Sequence, residues 1–339
     1  MKISVIGAGS WGTAIAQVIA SNGYQVLLYA RNSEQKDSIN KNNLNSIYFP
    51  EFKLSKKIKA SDSLKEVVSY GDIVLLAVPT QANREILENI CNMIEKEQII
   101  VSTAKGIEAR TFRRNSEIIE EYLDNPVVVL SGPSHAEEVI KALPTTAVAA
   151  SKNKEAAQLI QKIMMSAKFR VYTNPDIAGV EIGGAIKNII AIAAGISDGL
   201  GFGDNTKAAL ITRGLHEMSR LGVRMGGQLL TFAGLSGMGD LVVTCTSIYS
   251  RNRRFGIKIG EGLSLEEAMK EVKQTVEGVS TTMALYEWYH RGKYDFDIPI
   301  TKQIYQVLFE GKNPLQAVED LMLRGPKHEI EEVVKEINW

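Results

Sequence analysis

Short runs of apolar, mostly β-branched residues punctuate the first half of the chain: Lys2–Ile6, Val26–Ala30, Asp72–Val78, Ile99–Thr103 and Val127–Leu130. Segments with helical spacing of apolar positions separate several of them. Near-continuous apolar strands alternating with helices predict a parallel sheet covered on both faces, that is, a doubly wound α/β domain. Two further runs, Thr145–Ala150 and Phe169–Tyr172, flank a helical pattern over Lys154–Ala167 and would extend that sheet. After Asn174-Pro175 strand patterns become scarce, and helical spacing takes over in Asp176–Ile196, Thr206–Leu221, Leu265–Val272, Val279–His290 and Ile298–Phe309. The expected organisation is an N-terminal sheet domain over 1–180 and a C-terminal all-α domain over 181–339. The charged tail Lys327–Lys335 reads as a solvated surface helix.

Composition narrows the class of ligand. The 339 residues carry 39 Lys plus Arg against 39 Asp plus Glu, so no net field attracts nucleic acid or anionic lipid, and a small molecule is the expected partner. Cys91 and Cys245 stand far apart without CxxC or His-rich spacing, which encodes neither a disulfide framework nor a metal site and suits a reducing cytosol. The opening MKISVIGAGS lacks the long apolar core of a signal peptide, and the apolar run Ile189–Ile196 is far shorter than the roughly 20 residues that span a bilayer. A soluble, cytoplasmic protein without stable membrane insertion is expected.

The chemistry begins at Gly7-Ala8-Gly9-Ser10-Trp11-Gly12, which follows a strand pattern and precedes a helical one that starts near Thr13. In that context the first glycine permits the tight turn, the second admits a pyrophosphate to the backbone, and the third lets helix and strand pack closely. The anion would sit at a helix N-terminus. This makes the first domain Rossmann-type. The second strand ends in Arg31 where a strict NAD reader places an acid, so NADPH is expected to be favoured, while Glu34 keeps NAD in play.

Further candidates lie at strand ends and in the helical half. Lys105, in Ser102-Thr103-Ala104-Lys105-Gly106, and the loop Ser131-Gly132-Pro133-Ser134-His135-Ala136 each follow a strand, where open α/β sheets bind ligands. His135 reads as a loop residue rather than a catalyst. In Gly183–Ala191 a single ammonium, Lys187, and a single amide, Asn188, stand among small and apolar residues, a pattern expected of a polar site set into a domain interface. Ser250 is a good N-cap for a helix running on from Arg251, and the start of that helix, with Arg251 and Asn252, suits a phosphate.

Taken together, these strings resemble the bacterial NAD(P)-dependent glycerol-3-phosphate dehydrogenase family. The likeness runs through GAGSWGTA at 7–14, AVP at 77–79, STAKG at 102–106, LSGPSHAEEV at 130–139, GGAIKNIIAIAAG at 183–195, GMGDLVVTC at 237–245 and SRNRRFG at 250–256. The resemblance implies that Ser10, Trp11, Arg31, Lys105, Ala136, Arg251 and the segment from Thr275 to Glu277 contact NADP or NAD alongside Gly7, Gly9 and Gly12. It implies that Lys187 is the catalytic acid/base, with Lys105 and Asp240 beside it. Gly132, Ser134, Asn188, Thr244, Ser250, Arg251 and Asn252 would join those three around dihydroxyacetone phosphate or sn-glycerol 3-phosphate. A homodimer and a role in supplying phospholipid synthesis are implied in the same way. Two rival readings are a β-hydroxyacid dehydrogenase, which the Arg251-Asn252 cluster disfavours, and a redox sensor, which would need no Lys105, Lys187 and Asp240 constellation.

Overall fold

The computed structural model describes residues 1–292, 294, 296–326 and 328–329; the tail expected to form a surface helix falls outside them except at 328–329. The first half runs β1 (Lys2–Ile6), α1 (Ser10–Ser21), β2 (Gln25–Tyr29), α2 (Ser33–Asn42), β3 (Leu44–Asn45), β4 (Phe49–Lys53), β5 (Ile58–Ser61), α3 (Leu64–Tyr70), β6 (Ile73–Leu76) and α4 (Thr80–Ile90). It continues with β7 (Ile99–Ser102), α5 (Asn115–Glu120), β8 (Val127–Ser131), α6 (Ala136–Val139), β9 (Thr145–Ala150), α7 (Lys154–Met164) and β10 (Phe169–Asn174).

Eight strands form one sheet in the order β10-β9-β8-β7-β6-β1-β2-β5, while β3 and β4 make a separate small hairpin. The strand order reverses around β1, so the ends of β1 and β6 open onto the crevice where such sheets bind ligands. Strands β6 and β8 are buried along their whole length, which is why they read as unbroken apolar runs. Ile15, Ile19, Ile160 and Ile163 cover one face from α1 and α7, and Val67, Leu87 and Ile118 cover the other from α3, α4 and α5.

The main sheet is mostly parallel, as expected, with one antiparallel pair among its described strands. Strand β9 pairs with β8 antiparallel, with Val129 opposite Ala150, and β10 follows β9 in parallel. The connection from β8 to β9, residues 132–144, holds one four-residue helix, α6, and lacks the longer crossover helix that usually brings the chain back for a parallel strand. The chain therefore turns back beside β8. Helix α1 also begins at Ser10, earlier than the expected Thr13, because Gly9 already serves as its N-cap.

The helical half contains α8 (Ile177–Gly199), α9 (Asp204–Arg224), α10 (Leu229–Phe232), a π-helical turn (Leu235–Gly239), α11 (Asp240–Thr246), α12 (Arg251–Gly260), α13 (Leu265–Val272), α14 (Glu277–Arg291), α15 (Pro299–Phe309) and α16 (Pro314–Met322). Asp176 caps α8 by accepting a 2.8 Å hydrogen bond from Gly179 N–H. Helix α8 is long and apolar enough to cross a membrane, but 94% of its apolar window is buried inside the protein. A helix apolar on all sides is the axis of a core. Leu229–Thr246 passes the same test of length and composition, yet it contains the buried Asp240.

Candidate active site

Three elements converge on one carboxylate. Asp240, the first residue of α11, is 1% exposed, and Lys187, near the middle of α8, is 4% exposed. Their side chains form an ion pair through Asp240 Oδ1. Lys105, three residues beyond β7, donates to Asp240 Oδ2 at 2.8 Å and to the Gly132 carbonyl at 2.9 Å. Thr244 lies one turn after Asp240 on the same helix face, accepts from Lys187 Nζ at 3.0 Å, and donates to the Asp240 carbonyl at 2.5 Å.

Local sequence explains this convergence. A side chain at Gly184 would lie 2.9 Å from Ser131 Oγ and 3.6 Å from Lys105 Cγ, so glycine lets the end of β8 and the Lys105 stem lie against α8. At Gly183 a Cβ would meet the Ser236 carbonyl at 2.8 Å, which brings the turn before Asp240 onto the same helix. Gly132, at the end of β8, has φ +127°, a conformation that favours glycine and presents its carbonyl to Lys105.

A second chain of contacts runs through amides. Asn188 donates to the Lys105 carbonyl at 2.9 Å, and its Oδ1 accepts from Asn252 Nδ2 at 2.9 Å. Asn252 Oδ1 in turn accepts from Gly278 N–H at 2.9 Å, on the first turn of α14. Ser250 caps α12, as its sequence suggested, by accepting from Arg253 N–H at 3.2 Å. Arg253 is committed to Asp198, donating through Nε at 2.7 Å, and Lys207 pairs with the same carboxylate. Among the described residues neither Arg251, at the first helical position, nor Arg254 has a side-chain partner, which leaves both available to an anion.

The electrostatics follow from burial and from two cations sharing one anion. Burial pushes the Lys187 ammonium down to about 7; Asp240 opposes the shift and Lys105 reinforces it. Burial raises the Asp240 carboxyl, but Lys105 and Lys187 outweigh it and hold the group below its usual range. His135, the N-cap residue of α6, is pushed down to about 4, first by burial and then by the Lys187 and Lys105 charges. It is a neutral imidazole at the rim of the site, which accords with its reading as a loop residue.

The glycine loop fits a dinucleotide. A Cβ at Gly7 would lie 2.5 Å from the Ala77 carbonyl and one at Gly12 would lie 1.9 Å from the Gly7 carbonyl, yet one at Gly9 would meet nothing within 4 Å. The turn and the helix contact are closed, and the middle position is an open cradle. Helix α1 has no side-chain cap and no acid in its first turn, and the Trp11 indole Nε1 is buried without a hydrogen-bond partner. Arg31 is exposed just past β2, Ala136 opens α6, and Ser134 donates to the Gly132 carbonyl at 2.9 Å. Glu277 accepts from the N–H of Thr80 at 3.3 Å, whereas Thr275 is exposed two residues earlier. Thr80 escaped the sequence reading although it directly follows the AVP string at 77–79; its signal is a hydroxyl residue opening a helix after Pro79.

A glycine turn between β1 and α1 with an open phosphate cradle, facing a helical half that buries a lysine against an aspartate, defines a Rossmann-type dinucleotide-binding protein with a second, helical domain. Family models sharpen this. The N-terminal model of NAD-dependent glycerol-3-phosphate dehydrogenase matches residues 2–157 and the C-terminal model matches residues 176–319. The chain belongs to the NAD-dependent glycerol-3-phosphate dehydrogenase family. It is 65% identical over 338 residues to a glycerol-3-phosphate dehydrogenase [NAD(P)+] of Halothermothrix orenii, covering 100% of this chain and 99% of that protein. It is 52% identical to the like-named enzyme of Bacillus subtilis, covering 98% and 97% of the two chains. A crystal structure of glycerol-3-phosphate dehydrogenase from Coxiella burnetii superposes with a TM-score of 0.91 at 39% identity, covering 95% of this chain and 99% of that one.

Proposed function

We propose that this protein is an NAD(P)H-dependent sn-glycerol-3-phosphate dehydrogenase that reversibly reduces dihydroxyacetone phosphate. The observation that carries the reading is the buried Lys187, paired with Asp240 and pushed down to about 7, on a helix whose Asn188 is hydrogen-bonded to Asn252 in the first turn of α12. A bound nicotinamide dinucleotide supplies or accepts the hydride. Lys187 donates a proton to the C2 oxygen during reduction and removes it during oxidation, and an acid near neutrality suits both directions. Lys105 and Lys187 together offset the negative charge that develops on that oxygen. Arg251 and the N-terminus of α12 hold the substrate phosphate with charge-assisted hydrogen bonds, joined by Ser250, Asn252 and Ser134. Asn188, Thr244 and Gly132 position the two lysines.

In this reading residues 1–180 hold the dinucleotide, through Gly7, Gly9, Ser10, Trp11, Gly12, Arg31, Lys105 and Ala136, and residues 181–339 hold the substrate, with Arg251, Thr275 and Glu277 reaching the cofactor. The unpaired Cys91 and Cys245 support a cytoplasmic location, and the product would feed glycerophospholipid synthesis. Exposed apolar side chains on α9–α11, including Val223, Leu229 and Leu230, support a homodimer, which sedimentation would test. The deciding experiment follows NADPH and NADH absorbance with dihydroxyacetone phosphate, with unphosphorylated dihydroxyacetone and a short carboxylate-bearing semialdehyde as controls. Oxidation of cofactor by the phosphate ester above both controls is expected. Faster turnover of the semialdehyde, or cofactor binding without turnover, would refute the assignment.

A further inference from the structure

The β3–β4 hairpin is outside the main sheet, yet it buries one polar side chain completely: Asn45 has no exposed surface. Asn45 Nδ2 donates to the Ala8 carbonyl at 3.1 Å and to Thr13 Oγ1 at 2.7 Å. Gln35, buried on α2, donates to the same Ala8 carbonyl at 2.7 Å and to Asn45 Oδ1 at 3.0 Å. The Tyr48 N–H completes the set on Asn45 Oδ1 at 3.4 Å. Two elements that contribute nothing to the glycine sequence thus grip one carbonyl inside it, between Gly7 and Gly9.

We propose that Asn45 and Gln35 are positioning residues that orient the Gly9 N–H toward the cofactor pyrophosphate. A trans peptide holds its C=O and the next N–H in one plane, pointing in opposite directions. Fixing the Ala8 carbonyl inward therefore turns the Gly9 N–H away from the amide cluster, at a residue around which a Cβ would meet only open space. The restraint is needed because the flanking glycines leave this peptide free to rotate, and an N–H that must be ordered on binding gives weaker recognition. Burial makes the restraint firm: Asn45 is fully buried and Gln35 nearly so, Gln35 Nε2, Asn45 Nδ2 and Asn45 Oδ1 all have partners, and rotation of the Ala8–Gly9 peptide would strand two buried donors.

The inference rests on the reading of the glycine loop as the dinucleotide site, and the test separates the two. Binding of NADPH and NADH to the full chain is followed by nicotinamide fluorescence in wild type, Asn45→Ala, Gln35→Met and Gly9→Val, with adenosine 2′-monophosphate as a competitor that lacks the pyrophosphate. Asn45→Ala and Gln35→Met should each raise Kd for NADPH and NADH alike by about tenfold, the worth of one hydrogen bond to a charged group. Affinity for adenosine 2′-monophosphate, turnover at saturating cofactor and KM for dihydroxyacetone phosphate should stay within about twofold of wild type. Unchanged dinucleotide affinity in Gln35→Met, whose shape is nearly conserved, would overturn the proposal. So would equal loss of adenosine 2′-monophosphate affinity, because a merely structural role disturbs the whole α2 end of the site. If Gly9→Val also binds normally, the loop itself is not the cofactor site; if Gly9→Val alone loses binding, the loop stands and the two amides do not orient it.

Discussion

Asp240→Asn removes the one carboxylate that two ammonium groups share while keeping the shape of the side chain. Asp240 raises the Lys187 value against burial and against Lys105, so its loss leaves Lys187 with only the two effects that depress it. An opposite charge in contact moves a neighbouring pKa by about one to three units, and Coulomb's law at an effective dielectric of about 20 gives about 4 kcal/mol at about 4 Å, near the top of that range. The sign is fixed by the chemistry. In the proposed mechanism reduction needs protonated Lys187, so kcat/KM for dihydroxyacetone phosphate in the native protein should fall as pH rises through about 7. In Asp240→Asn that fall should begin about one to three pH units lower. The oxidation of sn-glycerol 3-phosphate needs neutral Lys187, and its rising limb should move down by the same interval. Lys187→Ala should abolish both limbs and lower turnover by about 10²- to 10⁴-fold while NADPH binding persists. Profiles of kcat/KM at saturating NADPH, corrected for protein that retains NADPH fluorescence, make the comparison. A limb that stays in place or moves upward in Asp240→Asn would show that Lys187 is not the group that titrates in catalysis.

Arg31→Asp should reverse the preference from NADPH to NADH, since an exposed guanidinium at the end of β2 suits a 2′-phosphate and a carboxylate repels it; equal loss with both cofactors would refute that role. Arg251→Lys should raise KM for dihydroxyacetone phosphate by about tenfold or more and leave the NADPH Kd less affected, because a lysine cannot reproduce the planar fork. Kinetics with unphosphorylated dihydroxyacetone check this, and an unchanged ratio between the two substrates counts against it. Gly256→Val should lower the melting temperature by several degrees, because its Cβ would lie 2.2 Å from the Ile192 carbonyl, where overpacking costs about 1–3 kcal/mol. A melting curve that matches wild type would show that α12 can shift without cost.

Strands β1, β6, β7 and β8 were legible because burial on both faces leaves no polar alternation to confuse with a helix. Strand β5 was not: Ile58–Ser61 is four residues at the sheet edge with a lysine inside it, too short and too polar for any period to emerge. The antiparallel turn at β9 was equally hidden, since direction depends on the connection through α6 rather than on the apolar run itself. Lys187 stood out as one charge in an apolar helix and Lys105 as a lysine just past a strand end, whereas the role of Asp240 came from the family likeness. Asn45 and Gln35 did not, because an isolated amide in a polar segment looks the same in solvent as it does buried against a carbonyl 37 residues away.

The close approach of α8 and α12 rests on their glycines. A Cβ at Gly195 would lie 2.1 Å from the Arg253 carbonyl, at Gly199 2.3 Å from that of Ile257, and at Gly260 2.4 Å from that of Ile196. Gly195 and Gly199 on α8 and Gly256 and Gly260 on α12 each stand four apart, the small-residue spacing that lets helix backbones touch. Gly195 and Gly256 lie inside their helices, where a glycine costs about 0.5–1 kcal/mol relative to alanine, while Gly199 and Gly260 end them. Asn252 lies four residues before Gly256, and Asn188 lies seven before Gly195, which puts both amides on the same stripe at the upstream end of the seam. Their 2.9 Å hydrogen bond is possible only because the glycines hold the two backbones that near. The seam thus fixes the distance between the helix that carries Lys187 and the helix start that carries Arg251. In the proposed mechanism, acid/base chemistry at C2 and recognition of the phosphate on the same substrate require such a fixed span.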